Sequence, residues 1–467
     1  MGGLFGVISE KSCIDELFYG TDYHSHLGTK RAGLAAKSKK GFTRSIHNIE
    51  SDYFRSKFEA DLPKLKGHSG IGVISDTDAQ PLIIESHIGR FAIATVGKIN
   101  NMDALSKQAF RDKWHFSEMS GGELSPTELV AMLICKEASF EAGIRRAQEA
   151  VKGSCTMLLL TEKGIYAARD RLGRTPIAIG KKTGAYAASS ETCAFHNLGF
   201  KTDVYVGPGE VYLITPDGCE QVKPPEEKMQ VCAFLWVYYG YPASNYESIN
   251  VEDVRYRCGA ALGREDDVEI DFVAGIPDSG IGHAIGYANE KRVPYRRPFV
   301  KYTPTWPRSF MPQDQRVRDL VARMKLIPIE TLIEGERILF CEDSIVRGTQ
   351  LQENIQILFD YGAAEVHMRP ACPTLIYPCE FLNFSTSQST LDLAGVRAIT
   401  ELEGADYMDF EAYAESGSEK NLSMVDRIRQ RLRLTSLKYQ KLEHLIEAIG
   451  LPKERVCTHC WDGSSYF

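Results

Sequence analysis

Two adjacent carboxylates, Glu342 and Asp343, stand where an apolar run gives way to a loop of small residues, in Arg337-Ile338-Leu339-Phe340-Cys341-Glu342-Asp343-Ser344-Ile345-Val346-Arg347-Gly348-Thr349. An apolar strand feeding such a loop and then a helix offers backbone N–H groups to a phosphate at the helix N-terminus. The hydroxyls of Ser344 and Thr349 and the guanidinium of Arg347 add donors. Two neighbouring carboxylates such as Glu342 and Asp343 can accept hydrogen bonds from vicinal sugar hydroxyls, and carboxylates also suit Mg²⁺ bound mainly through substrate oxygens. A helix cap with acidic residues in its first turn would explain the pair alone, but not the whole string.

Cysteine supplies a second chemistry. Cys457-Thr458-His459-Cys460 is a C-x-x-C pair near the end of the sequence, which alone fits a redox pair, a zinc site or free thiols. Cys232 and Cys379 bring the set to four. Four thiolates suit a [4Fe–4S] cluster or a tetrahedral zinc, and spacing does not choose between them. With four cysteines, His459 is not needed as a ligand. Cys135, Cys155 and Cys193 read as packing residues.

The elements that must carry these groups fall into two textures. The first half is rich in short apolar runs, at Gly3–Ile8, 71–74, 91–94, 155–160, 164–168 and 176–180, with helical spacing at 126–136 and 140–150. Lys223-Pro224-Pro225-Glu226-Glu227-Lys228 marks a boundary, giving domains 1–228 and 229–467. Beyond it, strands at 272–276, 337–341 and 365–369 alternate with helices at 281–290 and 351–361, the pattern of a parallel α/β sheet. Residues 425–449 read as an amphipathic helical region broken near Leu434.

A chain of 467 residues is long enough for conventional cores without disulfides. A net charge of −7 argues against a bulk nucleic-acid or anionic-membrane binder. No apolar run has the length of a membrane span, and Met1–Glu10 lacks a signal-peptide pattern. The Met-Gly start has Gly6 where myristoylation wants Ser or Thr. A cytoplasmic protein is expected.

The Asp343-Ser344-Ile345-Val346-Arg347-Gly348-Thr349 string resembles the phosphoribosyl pyrophosphate (PRPP) motif of type I phosphoribosyltransferases, in the form found in the glutamine PRPP amidotransferase (amidophosphoribosyltransferase) family. That family usually has two aspartates where Glu342-Asp343 stands. Gly275-Ile276-Pro277-Asp278-Ser279-Gly280 resembles its pyrophosphate-binding loop, which implies substrate contacts from Asp278 and Ser279. The segment from Arg308 through Gln315, Arg316 and Arg318 to Arg323-Met324-Lys325-Leu326 resembles its mobile flap, which implies that Arg308 and Lys325 stabilise the leaving pyrophosphate. An Asn-Arg-Tyr that precedes the flap in the family is Thr303-Pro304-Thr305 here.

The resemblance continues into the first half. Gln80-Pro81-Leu82, Ser190-Glu191-Thr192-Cys193-Ala194-Phe195 and Gly207-Pro208-Gly209-Glu210 match the family's N-terminal-nucleophile glutaminase domain. Its working residues do not match. Gly2 stands where the family has its catalytic cysteine, Ser75 where it has a glutamine-binding arginine, Val96 where it has the oxyanion-hole asparagine, and Pro126 where it has the aspartate that receives the glutamine amino group. The His-Arg-Gly-Gln segment is His26-Leu27-Gly28-Thr29.

The resemblance therefore implies an αββα Ntn-hydrolase-like (class II glutaminase-like) domain, inactive toward glutamine, joined to a type I phosphoribosyltransferase α/β domain. It implies Mg-PRPP and an amine or ammonia as substrates and 5-phosphoribosylamine for purine biosynthesis as product, with ammonia free in solution or from a separate glutaminase. A dimer or tetramer is also implied. One branch of the family carries a [4Fe–4S] cluster on cysteines in the order of Cys232, Cys379, Cys457 and Cys460. A non-catalytic sensor of PRPP or nucleotides, partnering a true amidotransferase, is the alternative.

Overall fold

The computed structural model describes residues 2–117, 119–120, 123–302, 326–382 and 393–466, with the side chains of 119, 120, 123, 349 and 350 outside the description. The strand Gly3–Ser9 is buried along its whole length, as a strand covered on both faces must be. Its side chains alternate between two cores. Leu4 and Ile8 meet Ile71, Val73, Ala94, Leu158 and Leu160 between two stacked sheets. Phe5 and Val7 point the other way, into a cluster with Leu17, Phe18, Phe54 and Phe58. Helices Ile14–Asp22 and Phe54–Phe58 carry those four residues.

The first sheet has seven strands, in the spatial order Lys201–Tyr205, Ala178–Lys182, Ala185–Ser189, Gly3–Ser9, Ser69–Ser75, Arg31–Ser38, Gly41–Asn48. The second has six, in the order Gly218–Lys223, Val211–Thr215, Ile165–Ala168, Gly153–Leu160, Gly89–Ile99, Leu82–Ser86. On its outer side Phe91, Leu159 and Tyr166 pack under Leu129, Leu133 and Ile144. Those three lie on helices Pro126–Ile134 and Phe140–Ala150. The layers run helix, sheet, sheet, helix, as expected.

The second half is built on a parallel sheet in the order Phe272–Gly275, Arg337–Glu342, Glu365–Pro370, Ser436–Leu437. The last strand lies in the break expected near Leu434 in the helical region 425–449. One helix runs Glu419–Leu432 and ends on Arg433 in the left-handed conformation (φ 58°). A second runs Leu442–Ile449. Between them Ser436–Leu437 joins the sheet edge, because Leu434 and Leu437 bury into the core while the Thr435 N–H reaches the Val366 carbonyl at 2.8 Å. Short-range periodicity cannot report a strand of two residues whose partner lies far along the chain.

A buried bidentate pair fastens this sheet to its helices. Arg369 Nε and Nη2 donate to Asp266 at 2.5 and 3.0 Å. Val231–Cys232 and Val456–Cys457 form a short parallel ladder that binds the start of the second half to the tail. Phe234 stacks on Trp461 beside it at 4.9 Å. Among the described residues no helix is long and apolar enough to cross a membrane.

Candidate functional site

Phe272–Gly275 and Arg337–Glu342 are adjacent parallel strands in register, with Gly275 opposite Cys341. Their carboxyl ends open on the same edge of the sheet, where ligands of open α/β folds bind. The Ile276 N–H donates to the Cys341 carbonyl at 3.0 Å, so the two following loops leave the sheet side by side. There the Ser279 hydroxyl donates to Asp343 Oδ2 at 2.5 Å, and the Ser344 hydroxyl to Oδ1 at 2.6 Å. Asp343 is only 5% exposed and joins the two loops. The loop closes at Gly348, whose φ of 76° is a conformation that side chains with a Cβ rarely take. Helix Thr349–Asp360 begins directly after it, presenting its unpaired first-turn N–H groups.

The expected residues do not all point into this clasp. Ser279, Glu342, Asp343, Ser344 and Gly348 gather around the two loops. Asp278 lies on the same loop as Ser279, but its exposed carboxylate pairs with Lys301, at the end of strand Phe299–Lys301. Arg347 lines a shallow depression with Arg397, Arg427 and Arg431 at the flank of the loop. Arg308 and Lys325 lie outside the described residues, as do the other flap cations, and so does the Thr349 side chain.

Two residues that sequence reasoning missed stand close by. Lys301 faces Asp278. Arg255 is buried, and its guanidinium donates to the carbonyls of Trp236 (3.0 Å), Tyr238 (3.1 Å) and Gly240 (2.9 Å), with the Glu252 and Asp343 charges acting on it. Both act across long sequence separations, and no local pattern marks them.

Burial and the neighbouring Asp343 charge push the Glu342 carboxyl well above the usual carboxylate range. A raised acid pKa in the folded state costs stability once pH exceeds the unfolded value. The cost is absent below about pH 4 and grows as pH rises toward the folded value. Glu342→Gln is therefore expected to stabilise the ligand-free chain by about 1 kcal/mol at pH 7, with no gain at about pH 4. Urea midpoints at the two pH values check this, and an equal gain at both would contradict it.

At the glutaminase-like end, Gly2, Ser75 and Val96 do meet. A Cβ on Gly2 would stand 2.6 Å from the Ile74 carbonyl oxygen and 3.0 Å from Val96 Cγ1. Ser75 is buried, and its oxygen bonds to Thr77 Oγ1 at 3.0 Å and Gln80 Nε2 at 3.2 Å. Asp78, 2% exposed, accepts from Ser125 (2.6 Å), Thr77 (2.9 Å), Gln80 (3.1 Å) and the Thr127 N–H (3.1 Å). Pro126 opens its helix behind the Ser125 cap. Gln80 stood out in the sequence as part of a family match, but the closed polar network it forms with Asp78 did not. His26 Nε2 sits 3.1 Å from buried Glu191.

The four cysteines come together at the junction of the two halves. Cys232 and Cys457 are paired across the short parallel ladder. The Cys379 and Cys460 thiols are hydrogen-bonded to each other. The Ile376 and Tyr377 N–H groups donate to the Cys460 carbonyl at 3.1 and 3.2 Å. Backbone N–H groups are aimed at sulfur: Phe234 at Cys232, Phe381 and Leu382 at Cys379, His459 at Cys457. The hydrogen bond from Cys460, opposed by burial, brings the Cys379 thiol down to about 6. His459 packs edge-on against Phe381, its ring centroid 5.0 Å away. Among the described residues no three His, Cys, Asp or Glu side chains converge as ligands of one ion.

An αββα layer stack joined to a parallel sheet with a two-loop clasp defines the class: a glutaminase-like Ntn domain coupled to a type I phosphoribosyltransferase domain. Residues 68–197 match the family model of a glutamine amidotransferase domain. The chain is 31% identical to the amidophosphoribosyltransferase of Bacillus subtilis (strain 168), over 87% of each chain. It is also 31% identical to that of Archaeoglobus fulgidus, over 85% of this chain and 89% of the relative. Among solved structures it superposes on B. subtilis glutamine PRPP amidotransferase complexed with ADP and GMP with a TM-score of 0.84 and 28% identity, covering 99% of this chain and 97% of that one. The chain belongs to the amidophosphoribosyltransferase family.

Proposed function

We propose that this chain transfers the phosphoribosyl group of Mg-PRPP to ammonia, giving 5-phosphoribosylamine for purine synthesis, and does not itself hydrolyse glutamine. The observation that carries the first part is the clasp of Ser279 on Asp343 at the carboxyl ends of two adjacent parallel strands. Asp343 and Glu342 take the ribose hydroxyls, and the N–H groups ahead of helix Thr349–Asp360 take the 5-phosphate. Asp278, Ser279 and Lys301 lie toward the pyrophosphate, with Arg308 and Lys325 of the flap completing its charge neutralisation. The nitrogen lone pair forms the bond to C1 as the C1–O bond breaks. Pyrophosphate departs with that electron pair, and nitrogen gives up a proton to solvent. The protein contributes orientation and electrostatic stabilisation. The hard oxygens of Glu342 and Asp343 fit Mg²⁺ carried by substrate oxygens, and that ion supplies countercharge for the pyrophosphate.

Two observations support the absence of glutamine hydrolysis. No nucleophilic side chain stands at Gly2, and a Cβ there has no room. Ser75, which stands where the family has its glutamine-binding arginine, is satisfied by Thr77 and Gln80, and those two in turn donate to Asp78. Anaerobic assays of pyrophosphate release are expected to give turnover with ammonium and none with glutamine. Gly2→Cys is expected to leave glutamine silent, because a Cβ there crowds the Ile74 carbonyl and the other glutamine-site residues are still missing. Turnover of glutamine by either protein sinks this reading. Tight PRPP binding without turnover on ammonium would instead identify a sensor that works beside a true amidotransferase.

The four cysteines fit a [4Fe–4S] cluster, with zinc as the alternative. Their donor chemistry is right, and the N–H groups aimed at three of the sulfurs are those a thiolate needs. A cubane spreads its ligands over a wider shell than a single ion, which agrees with thiols that perturb one another without converging on one point. Such a cluster would tie the linker, the phosphoribosyl core and the tail together.

A further inference from the structure

Arg174 belongs to the glutaminase-like half, yet its side chain reaches the cysteine set. It is fully buried, at 0% exposure. Nη1 donates to the Gly153 carbonyl at 3.3 Å, and Nη2 donates to Gln230 Oε1 at 2.9 Å and Ser465 Oγ at 3.4 Å. The guanidinium lies over the Phe381 ring, 3.6 Å from its centroid, and donates to the Cys457 sulfur. Its own carbonyl accepts from the Cys232 N–H at 3.3 Å. One side chain therefore touches the linker before Cys232, the residue two beyond Cys379, Cys457 itself and the end of the tail. The charge of Lys98, from the same half, acts on Cys379.

A buried guanidinium is costly unless an opposite charge lies beside it. A thiolate-bound cluster supplies such a charge directly beside the Arg174 guanidinium, which already donates to the Cys457 sulfur. Four thiolates on a doubly positive cubane carry a net charge of about −2. Arg174 and Lys98 supply two positive charges against it. A cation close to such a cluster favours the more negative, reduced state and so raises the reduction potential. It also makes the thiolates poorer proton acceptors, which slows loss of the cluster.

We propose that Arg174 is the electrostatic anchor of the cysteine-bound cluster, so that the glutaminase-like half supplies positive charge and packing beside the cluster's cysteines. The proposal rests on the cluster reading above. It also gives the glutaminase-like half a role that does not involve glutamine.

The test uses full-length protein isolated without oxygen as wild type, Arg174→Lys, Arg174→Met and Lys98→Gln. Iron per chain, midpoint potential and the rate of visible bleaching in air are measured on each. Wild type is expected to hold about four irons per chain. Arg174→Lys keeps the charge and should stay near wild type in potential. Arg174→Met keeps the apolar stem, and should shift the potential downward and bleach about tenfold faster. Lys98→Gln, at a half-buried position that tolerates the change, should shift the potential in the same direction by less. It carries the test if Arg174→Met fails to fold. Iron-loaded wild type with unaltered potential and bleaching in both neutral variants overturns the proposal alone. Wild type holding zinc, or no metal, overturns the cluster reading and the proposal with it.

Discussion

Asp343→Ala is expected to weaken PRPP binding by about 100-fold, a loss of about 3 kcal/mol. Two charge-assisted hydrogen bonds to ribose hydroxyls account for that magnitude, at about 1.5 kcal/mol or more each. The protein-side geometry adds to it. Asp343 holds Ser279 from the pyrophosphate loop and Ser344 from its own loop, so its removal also unclasps the two loops before substrate arrives. Global stability should change much less, since both hydroxyls sit at the open edge of the sheet where water can replace the lost partner. Asp343→Asn keeps the shape without the charge and should fall between. An equilibrium titration of PRPP into the two variants and wild type measures this. Equal affinities would mean the sugar is held elsewhere.

Glu191→Ala is expected to cost about 3–5 kcal/mol of stability, the range for breaking a buried charge from its partners. Glu191 is 1% exposed and gathers partners from both halves of the chain, among them the Cys193 thiol, which donates at 3.3 Å. His26 lies at 3.1 Å, the Tyr246 hydroxyl at 2.5 Å, the Tyr241 N–H at 3.2 Å and the Ser244 hydroxyl at 3.3 Å. Burial alone would raise its pKa. The His26 and His24 charges and the hydrogen bonds from His26 and Tyr246 outweigh burial and bring it down to about 2. A depressed acid stabilises the fold above its unfolded pKa of about 4.3, and that contribution is lost as pH falls toward about 2. Wild type should therefore lose stability faster than Glu191→Ala across that window.

The same variant should loosen the segment beyond the boundary, because Tyr241, Ser244 and Tyr246 are its anchors. That segment runs into the Trp236–Gly240 carbonyls that hold Arg255, which in turn feels the Asp343 charge. Denaturant midpoints between pH 7 and 3 test the stability claim. A loss below about 1 kcal/mol at pH 7 would show that Glu191 is dispensable.

The phosphoribosyl loop was legible because its chemistry is contiguous. An apolar strand, two acids, small residues, a glycine able to take positive φ and a helix follow one another within 13 residues, Arg337 to Thr349. The stacked sheets and helices of the first half were legible in its short apolar runs, and their αββα arrangement through the family resemblance. Cys232, Cys379, Cys457 and Cys460 could be nominated as residue types in a familiar order. What the sequence does not carry is contact across the chain. Arg174 beside Cys457, Glu191 beneath Tyr246 and Asp78 beneath Ser125 each join residues brought together only by packing. The break near Leu434 was legible, but the strand Ser436–Leu437 inside it was not, since its pairing partner is the distant Glu365–Pro370.

The proposed sugar-phosphate cradle lies where the strand Arg337–Glu342 hands over to Asp343. Calorimetric titration of oxygen-free wild-type protein with Mg-PRPP, against ribose 5-phosphate and pyrophosphate as separate ligands, tests it most directly. Saturable binding of PRPP, tighter than either fragment and reduced about 100-fold by Asp343→Ala, is the predicted result. Absence of heat with PRPP, or binding that Asp343→Ala leaves intact, would contradict it.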